Sequence, residues 1–293
     1  MRAELRGVTK RFGRVTALDG LDLLLEAGSS TALVGPNGSG KSTLIRILMG
    51  MVECEGEVRI DGLDVLRDRR ALADRMAYVP QIAPRIDAPV GEIVRAMAEL
   101  RGLDADRIRA IAAEFRLDLD DLSRRGFQSL SGGMKQKLLA CLALASDARF
   151  LLLDEPTASM DAQSRATFLR LMGERVGRAT IVLCSHRVDE IRAFVEDVVV
   201  LDEGRKSYQG SARDYVASRT AALIEVAAEG SEAGAILEGL GFRESRPGWW
   251  VLWSASAQRA GLLRDVLRRL DGCAVDVWAR DLERIDSAAQ ERE

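Results

Sequence analysis

The residues with the most chemical content run Gly35-Pro36-Asn37-Gly38-Ser39-Gly40-Lys41-Ser42-Thr43. This is a complete G-x-x-x-x-G-K-[ST] loop, a spacing that cradles the phosphates of a nucleotide. Glycines let successive backbone N–H groups turn inward around an anion, and a helix starting there adds the positive end of its dipole. Lys41 supplies a point charge for the β- and γ-phosphates, and the Ser42 hydroxyl suits Mg2+. The loop follows the apolar run 31–35 and precedes Leu44, Ile45, Ile47 and Leu48, so it lies between a strand and a helix, as the chemistry requires.

Such a loop needs a carboxylate for its metal. Residues 150–155 read FLLLDE, a buried strand that ends in Asp154 and presents it at the carboxyl edge of a sheet, where ligands bind in open α/β folds. Asp154 is expected to hold Mg2+ through water, and the adjacent Glu155 to polarise the attacking water as general base. His186, the sole histidine, follows the apolar strand 179–184 and reaches the same edge. A neutral imidazole there can hydrogen-bond a γ-phosphate or the attacking water, whereas a lone histidine elsewhere reads as structural or exposed. Ser131-Gly132-Gly133, at the start of a helix, offers a hydroxyl and N–H groups to an anion, or simply caps that helix. By themselves, Phe12 reads as core and Gln81 carries little information.

Positioning these residues is the task of the surrounding elements. The chain has 293 residues, 47% hydrophobic and 30% charged, the balance of a globular protein rather than a disordered one. No run approaches the roughly 18 apolar residues of a membrane span; the most apolar stretch, 138–145, stops at Ser146 and Asp147. The start, Met1-Arg2-Ala3-Glu4, lacks the apolar core of a signal peptide, so a cytosolic location is expected. A net charge of −3 argues against nucleic acid as a partner. The four cysteines (Cys54, Cys141, Cys184, Cys273) form no C-x-x-C pair and read as buried free thiols.

Short apolar runs at 31–35, 149–153, 179–184 and 197–201 alternate with helical stretches, the pattern of an α/β domain with a sheet buried on both faces. The stretch 90–147 is helix-rich, with Ile93, Met97 and Leu100 at helical spacing, and reads as a helical insertion. All four tryptophans lie beyond residue 220. That region reads strand 222–228, helix 232–239, hairpin 242–253, helix 257–270 and strand 274–279, the order of a split β-α-β unit. The residues 209–221 between the two parts read as a linker. The appendage is either a stabilising addition whose tryptophans fill a small core or a dimerisation or regulatory module. Its arginines Arg259, Arg264, Arg268 and Arg269 read as a solvated helix face.

Several motifs occur together in a fixed order. Leu130-Ser131-Gly132-Gly133 with Met134-Lys135-Gln136 is similar to the signature motif of ABC ATPases. Gln81 resembles that family's glutamine loop, Ala158-Ser159-Met160-Asp161 its D-loop, His186 its switch histidine, and Phe12 the aromatic that stacks on adenine. The resemblance covers residues 1–216. It implies a P-loop NTPase fold for 1–216, with the helical subdomain at about 90–147; the order of elements beyond it makes 221–285 a small α+β ferredoxin-like domain. It further implies ATP and Mg2+ as cofactors, Gln81 joining Ser42 and Asp154 around the metal, and Glu155, His186 and Gln81 in hydrolysis. It also implies a homodimer whose Ser131-Gly132-Gly133 segments close over the partner's nucleotide. Met134, Ser159, Met160 and Phe12 depart from the commonest residues of the family, but no departure removes a charge or a ligand.

The small C-terminal addition and the methionine after Ser-Gly-Gly resemble the ATPases of type-2 ABC exporters. Residues 130–139, 154–160 and 184–187 are similar to the ATPases of the transporter that matures the copper centre of nitrous oxide reductase. The resemblance therefore implies an ATP-hydrolysing motor subunit of a multi-subunit, export-type transporter. Its partner would be an integral membrane permease, and the subunit would sit peripherally on the cytoplasmic face. That permease would dock near Gln81 to Glu92, where Pro80, Pro84 and Pro89 frame the apolar Ile82 and Ile86. The competing reading is a soluble ABC ATPase acting as a scaffold in iron–sulfur cluster assembly.

Overall fold

A computed structural model describes residues 1–228, 230–255, 258–270 and 274–283. The chain divides into two compact units, Met1–Ala212 and Arg213–Glu293. In the first unit the strands Ser30–Val34, Met76–Val79, Phe150–Asp154, Thr180–Cys184 and Asp197–Asp202 form a parallel sheet, and Arg205–Ser211 adds an antiparallel edge. The order across the sheet is 205–211, 197–202, 30–34, 180–184, 150–154, 76–79. Successive side chains of a strand face opposite ways, and both faces of this sheet are covered. Leu151, Leu153, Ile181 and Leu183 enter one core; Phe150, Leu152, Val182 and Cys184 enter the other. This double burial explains why these strands read as unbroken apolar runs rather than alternating ones.

The first core lies under the helices Val90–Arg101, Ala105–Glu114, Leu119–Leu122 and Gly132–Ala145. The second lies beneath a separate antiparallel sheet of Val15–Leu25, Ala3–Phe12, Glu55–Ile60 and Leu63–Asp64, and includes the helix Lys41–Leu48. The polar residues scattered through Ala3–Phe12 and Glu55–Ile60 conceal that sheet in the sequence. Burial mostly alternates, as at Ala3, Leu5, Val58 and Ile60, with the adjacent Val8 and Thr9 both buried.

The expected linker at 209–221 is not a linker. Residues up to Ser211 belong to the edge strand, polar because one side of an edge strand meets water, and the helix Ala212–Arg219 follows with Tyr215 and Val216 buried.

The second unit runs strand Thr220–Ala228, helix Ser231–Gly239, strands Arg243–Arg246 and Trp249–Ala255, helix Arg259–Arg269, and strand Ala274–Glu283. Its antiparallel sheet has the order 243–246, 249–255, 220–228, 274–283, which is a split β-α-β arrangement. Tryptophans do not all fill its core. Trp250 is buried with Ile224, Val226 and Leu237, whereas Trp249 stacks on Trp278 at 5.1 Å and Trp278 is 44% exposed. Arg264, Arg268 and Arg269 are exposed. Cys54, Cys141 and Cys184 are free; Cys141 and Cys184 are buried and Cys54 half-buried. Cys273 and positions 284–285 lie outside the described residues.

Candidate nucleotide site

In a parallel sheet all strands point the same way, so their carboxyl ends share one edge. Register makes that edge level: Leu33 lies beside Cys184, Cys184 beside Asp154, and Val79 beside Leu153. One step beyond that row come the Gly35–Gly40 loop, the Ser185-His186 turn, Glu155, and Pro80-Gln81. The loop needs its glycines. A Cβ on Gly40 would lie 2.4 Å from the Ala17 carbonyl oxygen, and one on Gly35 2.1 Å from that of Leu201. Gly40 also holds φ +103 at the start of the helix Lys41–Leu48, a conformation side chains rarely adopt.

Lys41 Nζ donates to the carbonyl oxygens of Gly35 (2.7 Å) and Pro36 (2.9 Å), so its charge lies over the loop. The Ser42 hydroxyl hydrogen-bonds Asp154. Asp154 is buried, and that burial raises its pKa above the ordinary value. Ser42, Arg46 and Lys41 oppose the rise, and the neighbouring Glu155 reinforces it. Ser39 Oγ is buried without a hydrogen-bond partner, as expected of a loop built to meet a ligand.

Glu155 has φ +46, a left-handed conformation uncommon outside glycine, and its N–H donates to Cys184 O at 2.9 Å. The turn places Glu155 Oε1 2.9 Å from His186 Nδ1. His186 is 77% exposed and Glu155 13%, so a shielded carboxylate meets an accessible imidazole. Phe12, at the end of its strand, is 49% exposed rather than core, with the Lys10 ammonium 4.9 Å above its ring. Gln81 is exposed and makes no hydrogen bond to the Ser42–Asp154 pair.

Ser131 is not brought to this cluster. It caps the helix Gly132–Ala145, its hydroxyl accepting from Met134 N at 3.2 Å. That helix instead abuts the segment 158–161. A Cβ on Gly133 would lie 2.8 Å from Ser159 O, and Lys137 Nζ pairs with Asp161 at 2.9 Å. Gln136, which the motif reading passed over, is buried and donates to Pro80 O at 2.9 Å, tying this helix to the root of the Gln81 segment. Its signal was an amide two residues before the apolar run 138–145. Thr157 and Glu190 were passed over as well: the Thr157 hydroxyl donates to Glu190 Oε1, and both are buried. Glu190 shares a helix face with Ile191 and Phe194, a position where an acid is unexpected.

The family model for ABC transporters matches residues 18–158. The daunorubicin resistance ATP-binding protein DrrA3 of Streptomyces coeruleorubidus is 34% identical over 226 residues, 75% of this chain and 71% of that one. The chain belongs to the ABC transporter family. A tungstate uptake ATP-binding protein, TupC of Peptoclostridium acidaminophilum, is 33% identical over 70% of this chain and 96% of its own length. The solved ATP-binding subunit of an ABC transporter superposes with a TM-score of 0.67 at 25% identity, covering 73% of this chain and 91% of that one. This ABC protein therefore has the P-loop NTPase fold of its family, binds ATP and is an ATPase. Among its described residues no helix is long and apolar enough to cross a membrane.

The donor set fits Mg2+. Among the described residues no group of three His, Cys, Asp or Glu side chains gathers as a metal cage. What is present is a hydroxyl and one carboxylate, Ser42 and Asp154, beside a phosphate loop. Mg2+ is commonly held in this way, by one or two carboxylates plus substrate phosphates and water.

Proposed function

We propose that this ABC ATPase is the motor subunit of an export-type transporter, acting as a homodimer on a separate membrane permease at the cytoplasmic face. The observation that carries the hydrolytic part is the Glu155–His186 hydrogen bond beside the Ser42–Asp154 pair and Lys41. ATP lays its triphosphate on the loop Gly35–Thr43, and Lys41 exchanges the Gly35 and Pro36 carbonyls for phosphate oxygens. Phe12 stacks on the adenine. Ser42 and Asp154, joined by Gln81, would hold Mg2+, which would supply charge neutralisation at the phosphates. While Glu155 is ionised, His186 donates to it through Nδ1. A γ-phosphate oxygen then competes for the exposed imidazole, and Glu155 is released to accept the proton of the attacking water.

Ser131, Gly132 and Gly133 complete the site from a second copy, where their hydroxyl and N–H groups meet the charge that develops in the transition state. For the permease, a groove of about 390 Å³ lies at the open edge of strand Met76–Val79, lined by Met49, Leu72, Tyr78, Ile86, Met97 and Leu142. Ile82, 82% exposed, adjoins it in sequence after Gln81. An apolar cytoplasmic helix of the permease fits this groove and is thereby coupled to Gln81 and, through Pro80 and Gln136, to the signature helix. Export is favoured by Met134 after Ser-Gly-Gly, by the small second unit, and by likeness to a drug-resistance protein.

The deciding experiment is Glu155→Gln. ATP binding is expected to persist while hydrolysis falls by roughly 10²–10⁴-fold, the contribution of a general base. Near-normal turnover in steady-state phosphate release would remove Glu155 from this role.

A further inference from the structure

We propose that Glu190 is a positioning residue for hydrolysis, a buried carboxylate that holds the turn of Glu155 and the turn of His186 in a single arrangement. The inference rests on the roles assigned above to Glu155 and His186. Glu190 lies on the short helix Val188–Phe194, directly after the His186 turn, and is 1% exposed. Its Oε1 accepts from the hydroxyl of Thr157, two residues beyond Glu155 and itself buried. On the other side Arg187, immediately after His186, places its Nε 3.6 Å from the same Oε1, and Ser185, immediately before His186, favours the charged form of this carboxylate. One side chain thus reaches both catalytic turns.

Packing alone does not account for an acid here. A buried carboxylate loses its hydration, and an apolar side chain of similar size commonly fills such a space at lower cost. Burial pushes the Glu190 pKa up, against the two hydroxyls that favour its charged form, and Oε2 has no hydrogen-bond partner. What the acid supplies is a link to two separate segments, a hydrogen bond from Thr157 and an ion pair with Arg187. The need for it is visible at Glu155, whose left-handed φ persists only where the surroundings over-determine it. Backbone bonds hold part of this turn: Glu155 N to Cys184 O at 2.9 Å, and Met160 N to Thr157 O at 2.9 Å. The Thr157–Glu190 bond is the side-chain restraint that ties the same turn to the helix behind His186. Loss of it would let the Glu155 carboxylate drift from the position of the attacking water.

The test uses the full chain with five variants: Glu190→Ala, Thr157→Val, Thr157→Ser, Glu155→Gln and the double variant Thr157→Val with Glu155→Gln. ATP affinity is read with a fluorescent ATP analogue, hydrolysis as kcat and single-turnover rate, and folding as Tm. Thr157→Val keeps the volume and removes the hydroxyl. It and Glu190→Ala are expected to lower kcat roughly 10- to 100-fold, the scale of a small misplacement of a catalytic group, with ATP affinity within about 2-fold. Thr157→Ser, which restores the donor, should recover most of the rate. Added to Glu155→Gln, Thr157→Val should cost less than about 2-fold more, because the restraint acts through the base. Wild-type kcat in Thr157→Val overturns the proposal. So does an equal loss in both backgrounds, failure of Thr157→Ser to recover, or failure of Thr157→Val to fold, since the bond would then hold the fold rather than the site. Normal turnover in Glu155→Gln alone overturns the underlying site assignment instead, so the two failures are distinct.

Discussion

At Lys41 the ammonium is already paired, donating to two carbonyls of its own loop. In the proposed site, nucleotide binding would exchange those partners for phosphate oxygens, which would favour a compact charge that fits the loop. Lys41→Ala should therefore weaken ATP binding by about 10-fold or more, since charge-assisted hydrogen bonds contribute roughly 1.5–3 kcal/mol. Lys41→Arg should not restore it, because a planar fork is a poor replacement for a point charge in a tight turn. Titration with a fluorescent ATP analogue checks both, and equal affinity in wild type and Lys41→Ala would contradict the cradle. Asp154 shows the stability cost of a prepared site. Its folded pKa lies above the ordinary 3.8, so the folded state binds the proton more tightly than the unfolded one. That contribution to stability is complete below the ordinary carboxylate range and is lost as pH rises through the raised value, leaving a penalty at neutral pH. In nucleotide-free protein at pH 7 with EDTA, Asp154→Asn should raise Tm, by about 2–4 °C for each kcal/mol of penalty relieved. Hydrolysis should fall. A lower Tm in Asp154→Asn would show that the hydrogen bond with Ser42 outweighs the burial of charge.

Among the elements, the signature helix Gly132–Ala145 has the most connections. It is capped by Ser131, held to the 158–161 turn by Lys137 and Asp161, and gripped at the root of the Gln81 segment by Gln136. Gly133 permits the approach, since a Cβ there would come 2.8 Å from Ser159 O, a backbone atom that cannot swing aside. Gly133→Ala should force helix and turn apart and destabilise the fold by about 1–3 kcal/mol, as overpacking does. Urea unfolding checks this. A gain in stability, as expected from a Gly→Ala change in an unobstructed helix, would show that the contact is not tight.

For the whole molecule, the proposed dimer implies an ATP site that one copy would leave incomplete. Ser131 spends its hydroxyl on its own helix, whose first turn lies against the 158–161 turn through Gly133, apart from the Lys41–Asp154 cluster. Closing a second copy would bring the first turn of that helix to the triphosphate and exclude water as charge develops. Hydrolysis per subunit should then rise with protein concentration. A mixture of Ser131→Arg and Lys41→Ala subunits should recover activity above either variant alone, because a mixed dimer has one site free of both lesions. ATPase assays of the mixture, with mixed dimers verified by crosslinking, decide this. No recovery would show that the sites are not shared or that both must act together.

Chemistry was legible wherever it depends on adjacent residues. The loop Gly35–Thr43, the acidic end of the strand at Asp154-Glu155 and the start of the signature helix each act through local backbone geometry, and spacing along the chain is enough to show it. Four of the five parallel strands were legible too, because burial on both faces leaves no alternation to misread; Met76–Val79, mostly half-buried at the edge of the parallel strands, was not. The antiparallel sheet of Ala3–Phe12 and Glu55–Ile60 was not, since half of its side chains face water, nor was the edge strand Arg205–Ser211, whose last residues, 209–211, read as the start of a linker. Pairings between distant segments were decided only by the tertiary structure. The order of strands sets Cys184 between Leu33 and Asp154, and this brings His186 to Glu155 across 31 positions of sequence. The same packing placed Gln136 on Pro80, Thr157 on Glu190, and Ser131 away from the phosphate loop. Local spacing specifies which groups a segment offers; the register between strands, fixed by burial of both sheet faces, decides which of them meet.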